Sequence, residues 1–170
     1  NRNTFAYLTQ ITNALSHVTT LTYNYALGLP VSVTDPNNVT TTASYDAFGR
    51  LASVVKSGDS TQYPTFQIVY YDFYPQTYGE PFMVDVHQRV TAGQSSTYSM
   101  RKFYDGLGRL LQTQSPRAVI QGQADPRDIV MDFAYDANGQ ATQQTIPYDI
   151  ASWYSSMPGE PTPWRGQNFS

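Results

Sequence analysis

The chain contains no cysteine, which excludes disulfide bonds, thiolate metal sites and cysteine nucleophiles. Charged residues make up only 14% of its 170 residues, against roughly 25% in ordinary soluble domains. Lysine stands only at Lys56 and Lys102, and glutamate only at Glu80 and Glu160. Because these two residue types usually fill the exposed faces of helices, their scarcity argues against extensive helix.

Charge and hydropathy exclude further classes. The net charge is −3 without any block of like charge, so the sequence offers no electrostatic surface for nucleic acid. No apolar run approaches the roughly 20 residues of a membrane-spanning helix. Residues 1–20 also lack the basic start and apolar core of a signal peptide. We expect no nucleic-acid partner, no membrane span and no cofactor.

Tyrosine, threonine and valine are plentiful, and these residues suit the half-buried surface of a β-sheet. Residues 129, 131, 133 and 135 are apolar or aromatic at every second position, which is the spacing of one face of a strand. Composition and pattern therefore predict an all-β protein.

One short segment recurs three times. It reads YDAFGRL at residues 45–51, YDGLGRL at residues 104–110 and YDANGQA at residues 135–141. Aspartate is favoured at the first position of a type I turn and glycine at the fourth. We expect the carboxylate to accept hydrogen bonds from the backbone N–H groups two and three residues on. The glycine is expected to take the left-handed conformation of a G1 bulge.

Arginine completes this corner. Arg50 returns opposite Tyr45 and Asp46, where it can pair with the carboxylate or lie on a tyrosine ring. Each residue of the segment has a structural role, and none needs catalytic chemistry. The predicted structural corner residues are Tyr45, Asp46, Gly49 and Arg50, then Tyr104, Asp105, Gly108 and Arg109, then Tyr135, Asp136 and Gly139.

These segments resemble the YD repeat of RHS-repeat proteins. Two copies match the motif in full, the third has Gln140 where arginine is expected, and the copies near Tyr25 and Tyr71 are eroded. The resemblance implies successive antiparallel β-hairpins that form a section of a long curved sheet or shell. It also implies a secreted or cell-surface bacterial protein, in a family whose shells often enclose a toxic C-terminal domain. The family's self-cleaving aspartates are not identified in this sequence.

The resemblance divides the chain into two parts. Residues 1–148 form an array of about five units, opened by the tyrosines at positions 23, 45, 71, 104 and 135. Residues 149–170 are rich in proline, hold both tryptophans and read as a linker or packing tail. The sequence enters within a repeat, so we expect a fragment whose partners are flanking repeats. Exposed sheet edges would make residues 1–170 alone prone to self-association.

Three functions remain open at this stage. The first is a non-enzymatic shell or filament section. The second is an adhesion or carbohydrate-binding surface, with exposed tyrosines and with Trp153 and Trp164 stacking on sugars. Cross-strand aromatic ladders are the favoured alternative for the tyrosines. The third is a hydrolase using loop carboxylates; its candidates are Asp125, Asp128 and Asp132.

Metal sites and histidine catalysis have little support in the sequence. His17 and His87 are far apart and belong to no paired motif, so we expect surface or strand roles for both. Residues 136–139 resemble the opening of a calcium loop, but the later ligands of that loop are missing. We predict no metal site and no catalytic residue.

Overall fold

The computed structural model describes residues 7–71, 81–116 and 127–151, and in these ranges the chain consists of strands joined by turns. None of these residues forms a helix long and apolar enough to cross a membrane. The all-β class predicted from the composition is confirmed. The strands are β1 (Gln10–Thr12), β2 (Val18–Asn24), β3 (Leu29–Thr34), β4 (Thr40–Tyr45), β5 (Leu51–Val55), β6 (Phe66–Tyr71), β7 (Phe82–Arg89), β8 (Thr97–Tyr104), β9 (Leu110–Pro116), β10 (Arg127–Tyr135), β11 (Ala141–Gln144) and β12 (Tyr148–Ala151).

Strands β1 to β11 are hydrogen-bonded in the order of the sequence, and β12 pairs with β10. The pairs β2–β3, β4–β5, β8–β9 and β10–β11 are antiparallel hairpins, as the repeats predict. One strand differs from expectation. Strand β12 crosses the predicted start of the tail at residue 149.

The strands belong to two compact units, which we describe separately. Unit 1 comprises residues 1–68 and 88–97, and unit 2 comprises residues 69–87 and 98–170. The turn between β7 and β8 belongs to unit 1 because the Asp59 carboxylate reaches it. Asp59 accepts a hydrogen bond of 2.9 Å from the Gly93 N–H and one of 2.6 Å from the Thr65 hydroxyl.

Unit 1 has a hydroxyl-bearing sheet face and an apolar one. On the first face, neighbouring strands are joined by hydroxyl pairs: Thr22 with Ser32 at 2.6 Å, Thr34 with Thr40 at 2.8 Å, and Ser44 with Ser53 at 2.7 Å. The alternating positions, which include Leu21, Tyr23 and Tyr45, lie on the other face. Among the described residues of unit 1 only Pro64 is buried, so these strands form a thin layer with little core.

Unit 2 buries a largely polar sheet face. Its buried residues are Met83, Phe103 and Val130 together with Asp85, Arg101, Gln112, Gln114, Asp128 and Asp132. The alternation predicted for residues 129–135 does form strand β10, but the fully buried face is the other one, with Asp128, Val130 and Asp132. Buried charges and amides need partners, so the contacts of this face decide whether unit 2 is stable.

Candidate functional site

The Tyr-Asp corners close hairpins at one end of the strands. At residues 46–50, the Gly49 N–H donates to the Asp46 carbonyl at 3.0 Å, and the Asp46 N–H donates to the Arg50 carbonyl at 2.9 Å. Residues 105–109 form the same two bonds, each at 3.0 Å. Gly49 has φ +77° and Gly108 has φ +78°, in the left-handed region where a β-carbon is disfavoured. Glycine is therefore the residue that adopts this point of the turn at the lowest conformational cost.

The aspartate side chain caps the turn in a way that differs from the prediction. Asp46 Oδ1 accepts hydrogen bonds of 2.9 Å from the N–H groups of Phe48 and Arg50, which lie two and four residues on. The expectation of a bond from the third residue was wrong, because the Gly49 N–H already donates to the backbone carbonyl of Asp46. The N–H groups of Phe48, Gly49 and Arg50 thus each donate to an oxygen of Asp46.

Arginine braces the two full copies through the second carboxylate oxygen. Arg50 Nε lies 2.7 Å from Asp46 Oδ2, and Arg109 Nε lies 2.6 Å from Asp105 Oδ2. Both guanidinium groups also lie over aromatic rings, since Arg50 is 5.1 Å from the ring centre of Phe48 and Arg109 is 5.1 Å from that of Tyr135. Arg109 therefore connects its own corner to the tyrosine of the following repeat.

The eroded copies show which corner residues the turn needs. Asp136 Oδ1 accepts from the N–H groups of Asn138 and Gln140 at 2.9 and 2.8 Å, so the turn forms without arginine. In the copy near Tyr25, the capping residue is Asn24, whose Oδ1 accepts from Ala26 N–H at 3.0 Å. The motif tyrosine of that copy is Tyr23, which is the tyrosine that opens this unit in the sequence.

A contact that the sequence did not reveal connects successive repeats. The hydroxyl of Tyr45 donates to the Pro30 carbonyl at 2.7 Å, and that of Tyr135 donates to the Leu110 carbonyl at 3.0 Å. Both acceptors lie two residues after the corner glycine of the preceding repeat. Tyr23 makes a comparable bond of 3.0 Å to the Leu8 carbonyl. We call these contacts tyrosine brackets.

We expect each bracket to contribute to stability. Replacing Tyr45 or Tyr135 with phenylalanine should lower the free energy of unfolding by about 1 kcal/mol, because a partly buried carbonyl loses its donor while the ring is retained. Urea denaturation of the chain measures the loss. Tyr25→Phe is the matched control, since the Tyr25 ring is 67% exposed and contacts Tyr7 through its edge. Equal stability of all three variants would contradict the bracket role.

The corners should also make the protein sensitive to acid. The backbone N–H of Arg109 lowers the pKa of Asp105 below its ordinary 3.8, against partial burial and together with the Arg109 side chain. Burial raises the pKa of Asp46, yet the hydrogen bonds from Arg50 outweigh it and the net direction is also downward. A lowered folded-state pKa stabilises the fold fully above the unfolded-state pKa, and this contribution is lost as the pH falls through the folded-state value.

The urea midpoint should therefore be constant near neutral pH and fall below about pH 4. The double variant Asp46→Asn with Asp105→Asn keeps the turns, because Asn24 already caps one in this chain. Its midpoint should fall less steeply between pH 4 and pH 2 than that of the parent. Parallel curves for both proteins would exclude the corner carboxylates as the cause.

A chain of hydrogen bonds runs across the buried face of unit 2 around Asp132. Gln112 Nε2 donates to Asp132 Oδ1 at 2.6 Å, and the Tyr148 hydroxyl donates to Asp132 Oδ2 at 2.7 Å. Gln114 Nε2 continues the chain by donating to Gln112 Oε1 at 2.6 Å. Burial raises the pKa of Tyr148 to about 12, and the Asp132 carboxylate adds to this rise. The network joins β9, β10 and β12.

A second polar group on the same unit joins β7 and β8. Asp85 Oδ2 lies 3.4 Å from both Arg101 Nε and His87 Nε2, and His87 Nδ1 lies 2.7 Å from the Ser99 hydroxyl. Serine, histidine and aspartate thus follow one another as in hydrolase triads. However, Ser99 sits within the ladder of β8 and not on a turn that presents a nucleophile beside free N–H groups. We interpret the group as a cross-strand connection.

The proposed hydrolase and stacking residues are only partly described. Asp125, Trp153 and Trp164 lie outside the described residues. Asp128 and Asp132 share the buried face of β10, where four residues of strand separate their Cα atoms by roughly 13 Å. Both side chains are buried, and both Asp132 oxygens already accept from Gln112 and Tyr148, which favours a structural role. The ring contacts of Tyr7 with Tyr23 and Tyr25, at 4.9 and 5.4 Å, favour the ladder over sugar stacking.

Two family models match the sequence. Residues 23–62, which include the corners after Tyr23 and Tyr45, match the model described as RHS Repeat. Residues 76–165, more than half of the chain, match a domain of unknown function, DUF6443. The chain is an RHS-repeat protein of the DUF6443 family. No curated protein gives a significant match to it.

This RHS-repeat protein shares its fold with two crystal structures. Against TcdB2-TccC3, the TM-score is 0.71 at 18% identity, covering 86% of this chain and 9% of that one. Against TcdB2-TccC3-Cdc42, the TM-score is 0.67 at 15% identity, covering 86% of this chain and 12% of that one. The RHS-repeat protein therefore spans a small part of the length of the structures that it matches, and it is a structural repeat section.

Proposed function

We propose that this repeat section builds part of an extracellular bacterial β-shell that encloses or displays a C-terminal effector domain, and that it has no enzymatic activity. The tyrosine brackets are the main support for this proposal. The brackets of Tyr45 and Tyr135 fasten their repeats to the preceding ones through a backbone carbonyl, which every repeat possesses whatever its sequence. Such a device extends an array over many units, and nearest-neighbour contacts stabilise repeat proteins in this way.

The side-chain contacts of the corners also favour a structural role over a catalytic one. The carboxylates of Asp46 and Asp105 accept hydrogen bonds from backbone N–H groups and from the Nε of Arg50 and Arg109. The flanking repeats of the same polypeptide are the natural partners, because an array leaves a strand edge wherever it is cut. The likeness to long structures, of which this chain covers 9% and 12%, supports a role as one section among many.

The test uses the intact parent polypeptide, secreted from a bacterial host and examined by electron microscopy and limited proteolysis. We expect a hollow particle, and we expect any C-terminal domain to resist protease until the shell is opened by denaturant. The parent with Tyr45→Phe and Tyr135→Phe should lose this protection at a lower denaturant concentration. An extended parent without a cavity, or one that remains in the cytoplasm, would overturn the proposal.

A further inference from the structure

A cavity of about 320 Å³ that is open to solvent, and whose lining residues are mostly exposed, lies in unit 1 at the end of the strands that is opposite to the Tyr-Asp corners. Two turns form its walls, residues 13–17 between β1 and β2 and residues 35–39 between β3 and β4. Thr20 and Thr34, which are directly paired in the β2–β3 ladder, belong to its lining. The cavity therefore continues the hydroxyl face of unit 1.

Both turns have the hydrogen-bond pattern of the corners. Asn13 Oδ1 accepts from the N–H groups of Leu15 and His17 at 2.9 and 3.0 Å, which are two and four residues on. Asp35 Oδ1 accepts in the same way from the N–H groups of Asn37 and Val39 at 2.8 and 2.9 Å. The turns are thus rigid supports for whatever their side chains contact.

The two turns differ from the corners at the position of the glycine. Ser16 with φ +63° and Asn38 with φ +61° occupy it, where Gly49 stands in the corner. In the part of the chain that the structure describes, these are the non-glycine residues with positive φ, and both line the cavity. A side chain in this conformation is sterically disfavoured, and such residues concentrate at binding sites. Glycine would form the turn more easily, so the presence of side chains at both positions points to a role in the cavity.

The cavity presents both donors and acceptors. Since Asn13 Oδ1 already accepts two backbone bonds, its Nδ2 donates to His17 Nδ1 at 3.3 Å. Neutral His17 consequently carries its proton at Nε2, which can donate to a ligand. The backbone bonds at Asp35 use Oδ1, so Oδ2 can accept from a ligand hydroxyl. The Thr20 hydroxyl and the Asn38 amide can do both, and the Thr34 hydroxyl, which is bonded to that of Thr40, can still accept.

We propose that this cavity binds one neutral pyranose ring of a carbohydrate. The hydroxyl groups of a sugar match a mixture of carboxylate, imidazole, amide and hydroxyl partners, and Val18 and Pro36 offer apolar surface to the C–H groups of the ring. The volume lies at the lower end of the roughly 300–1,000 Å³ of ligand pockets, which suits a single ring.

Other ligand classes fit the lining less well. No lysine or arginine lines the cavity, which disfavours phosphate and sulfate. Asp35 is its one carboxylate, whereas calcium takes 6–8 oxygen ligands. Sugar binding at this site does not depend on the proposed shell.

Saturation-transfer NMR on the 170-residue chain tests the proposal, with the methyl glycosides of glucose, galactose, mannose and N-acetylglucosamine as probes. We expect transfer to at least one of the four sugars. The double variant Ser16→Gly with Asn38→Gly should weaken that binding about tenfold through loss of two side-chain partners, without lowering the thermal midpoint, because glycine relaxes both turns. The control Asn138→Ala, at a corner of unit 2, should bind as the parent does.

Two further measurements separate the outcomes. Asp35→Asn keeps the turn, as Asn13 does in the neighbouring one, and should weaken sugar binding because it removes the charged acceptor. No transfer to any of the four glycosides would overturn the proposal. So would equal binding by parent and double variant, and so would displacement of the sugar by millimolar inorganic phosphate, which would indicate an anion site.

Discussion

Replacing Asp132 with alanine is expected to destabilise unit 2 by about 3 kcal/mol. Asp132 is fully buried and accepts from Gln112 Nε2 and from the Tyr148 hydroxyl. The alanine variant leaves both donors without this acceptor inside the protein and opens a cavity beside them. Hydrogen exchange of the amides in β9 and β10 measures the effect where the network lies.

Asp132→Asn is the matched control. Its amide keeps one oxygen for Gln112, and its NH2 group can donate to the Tyr148 oxygen, which accepts as well as donates. We expect this variant to lose about 1 kcal/mol or less. Exchange in β9 and β10 that is unchanged by the alanine substitution would show that the network does not hold unit 2 together.

Replacing Arg101 with methionine is expected to cost about 3–5 kcal/mol. Arg101 and Asp85 are 5% and 4% exposed, and their closest charged atoms are 3.4 Å apart. Asp85 Oδ1 has no hydrogen-bond partner in the described structure, so this carboxylate depends strongly on nearby positive charge. Methionine matches the volume of the arginine stem, and the loss therefore reports the uncompensated charge and not a cavity.

The double variant Arg101→Met with Asp85→Leu distinguishes charge pairing from packing. Removing both charges together is often neutral in buried pairs, so the double variant should lie within about 1 kcal/mol of the parent. Urea denaturation of the four proteins completes a double-mutant cycle. If the double variant is as unstable as Arg101→Met alone, the ion pair is not the reason for the loss.

The hairpins could be predicted from the sequence because their determinants are local. Asp46, Gly49 and Arg50 lie within five residues, and each has a physical role that can be deduced from turn geometry alone. The all-β class followed equally from composition. The predicted acceptor of the Gly49 N–H was wrong. This N–H can donate either to the Asp46 carboxylate or to the Asp46 backbone carbonyl, and only the folded geometry decides between them.

The buried polar face and the tyrosine brackets could not be predicted in this way. On β10, the pattern predicted one face with Met131 and Phe133, yet Val130 and Asp132 on the other face are the fully buried residues. Its partner Gln112 is 20 residues away, and no spacing rule joins them. The Tyr45 hydroxyl reaches a carbonyl 15 residues back. Because every residue has a backbone carbonyl, the sequence does not indicate which residue accepts such a bond.

The direction of the tyrosine brackets has a consequence for how the protein is made. Each bracket points backward, from a later tyrosine to a carbonyl that left the ribosome 15 or 25 residues earlier. No repeat needs a later one to complete its own bracket. Short-range contacts of this kind form quickly, and repeat arrays can grow from one end. A nascent or translocating chain can therefore fold progressively from its N-terminal side. Each new hairpin then pairs with the edge strand of the sheet that has already folded.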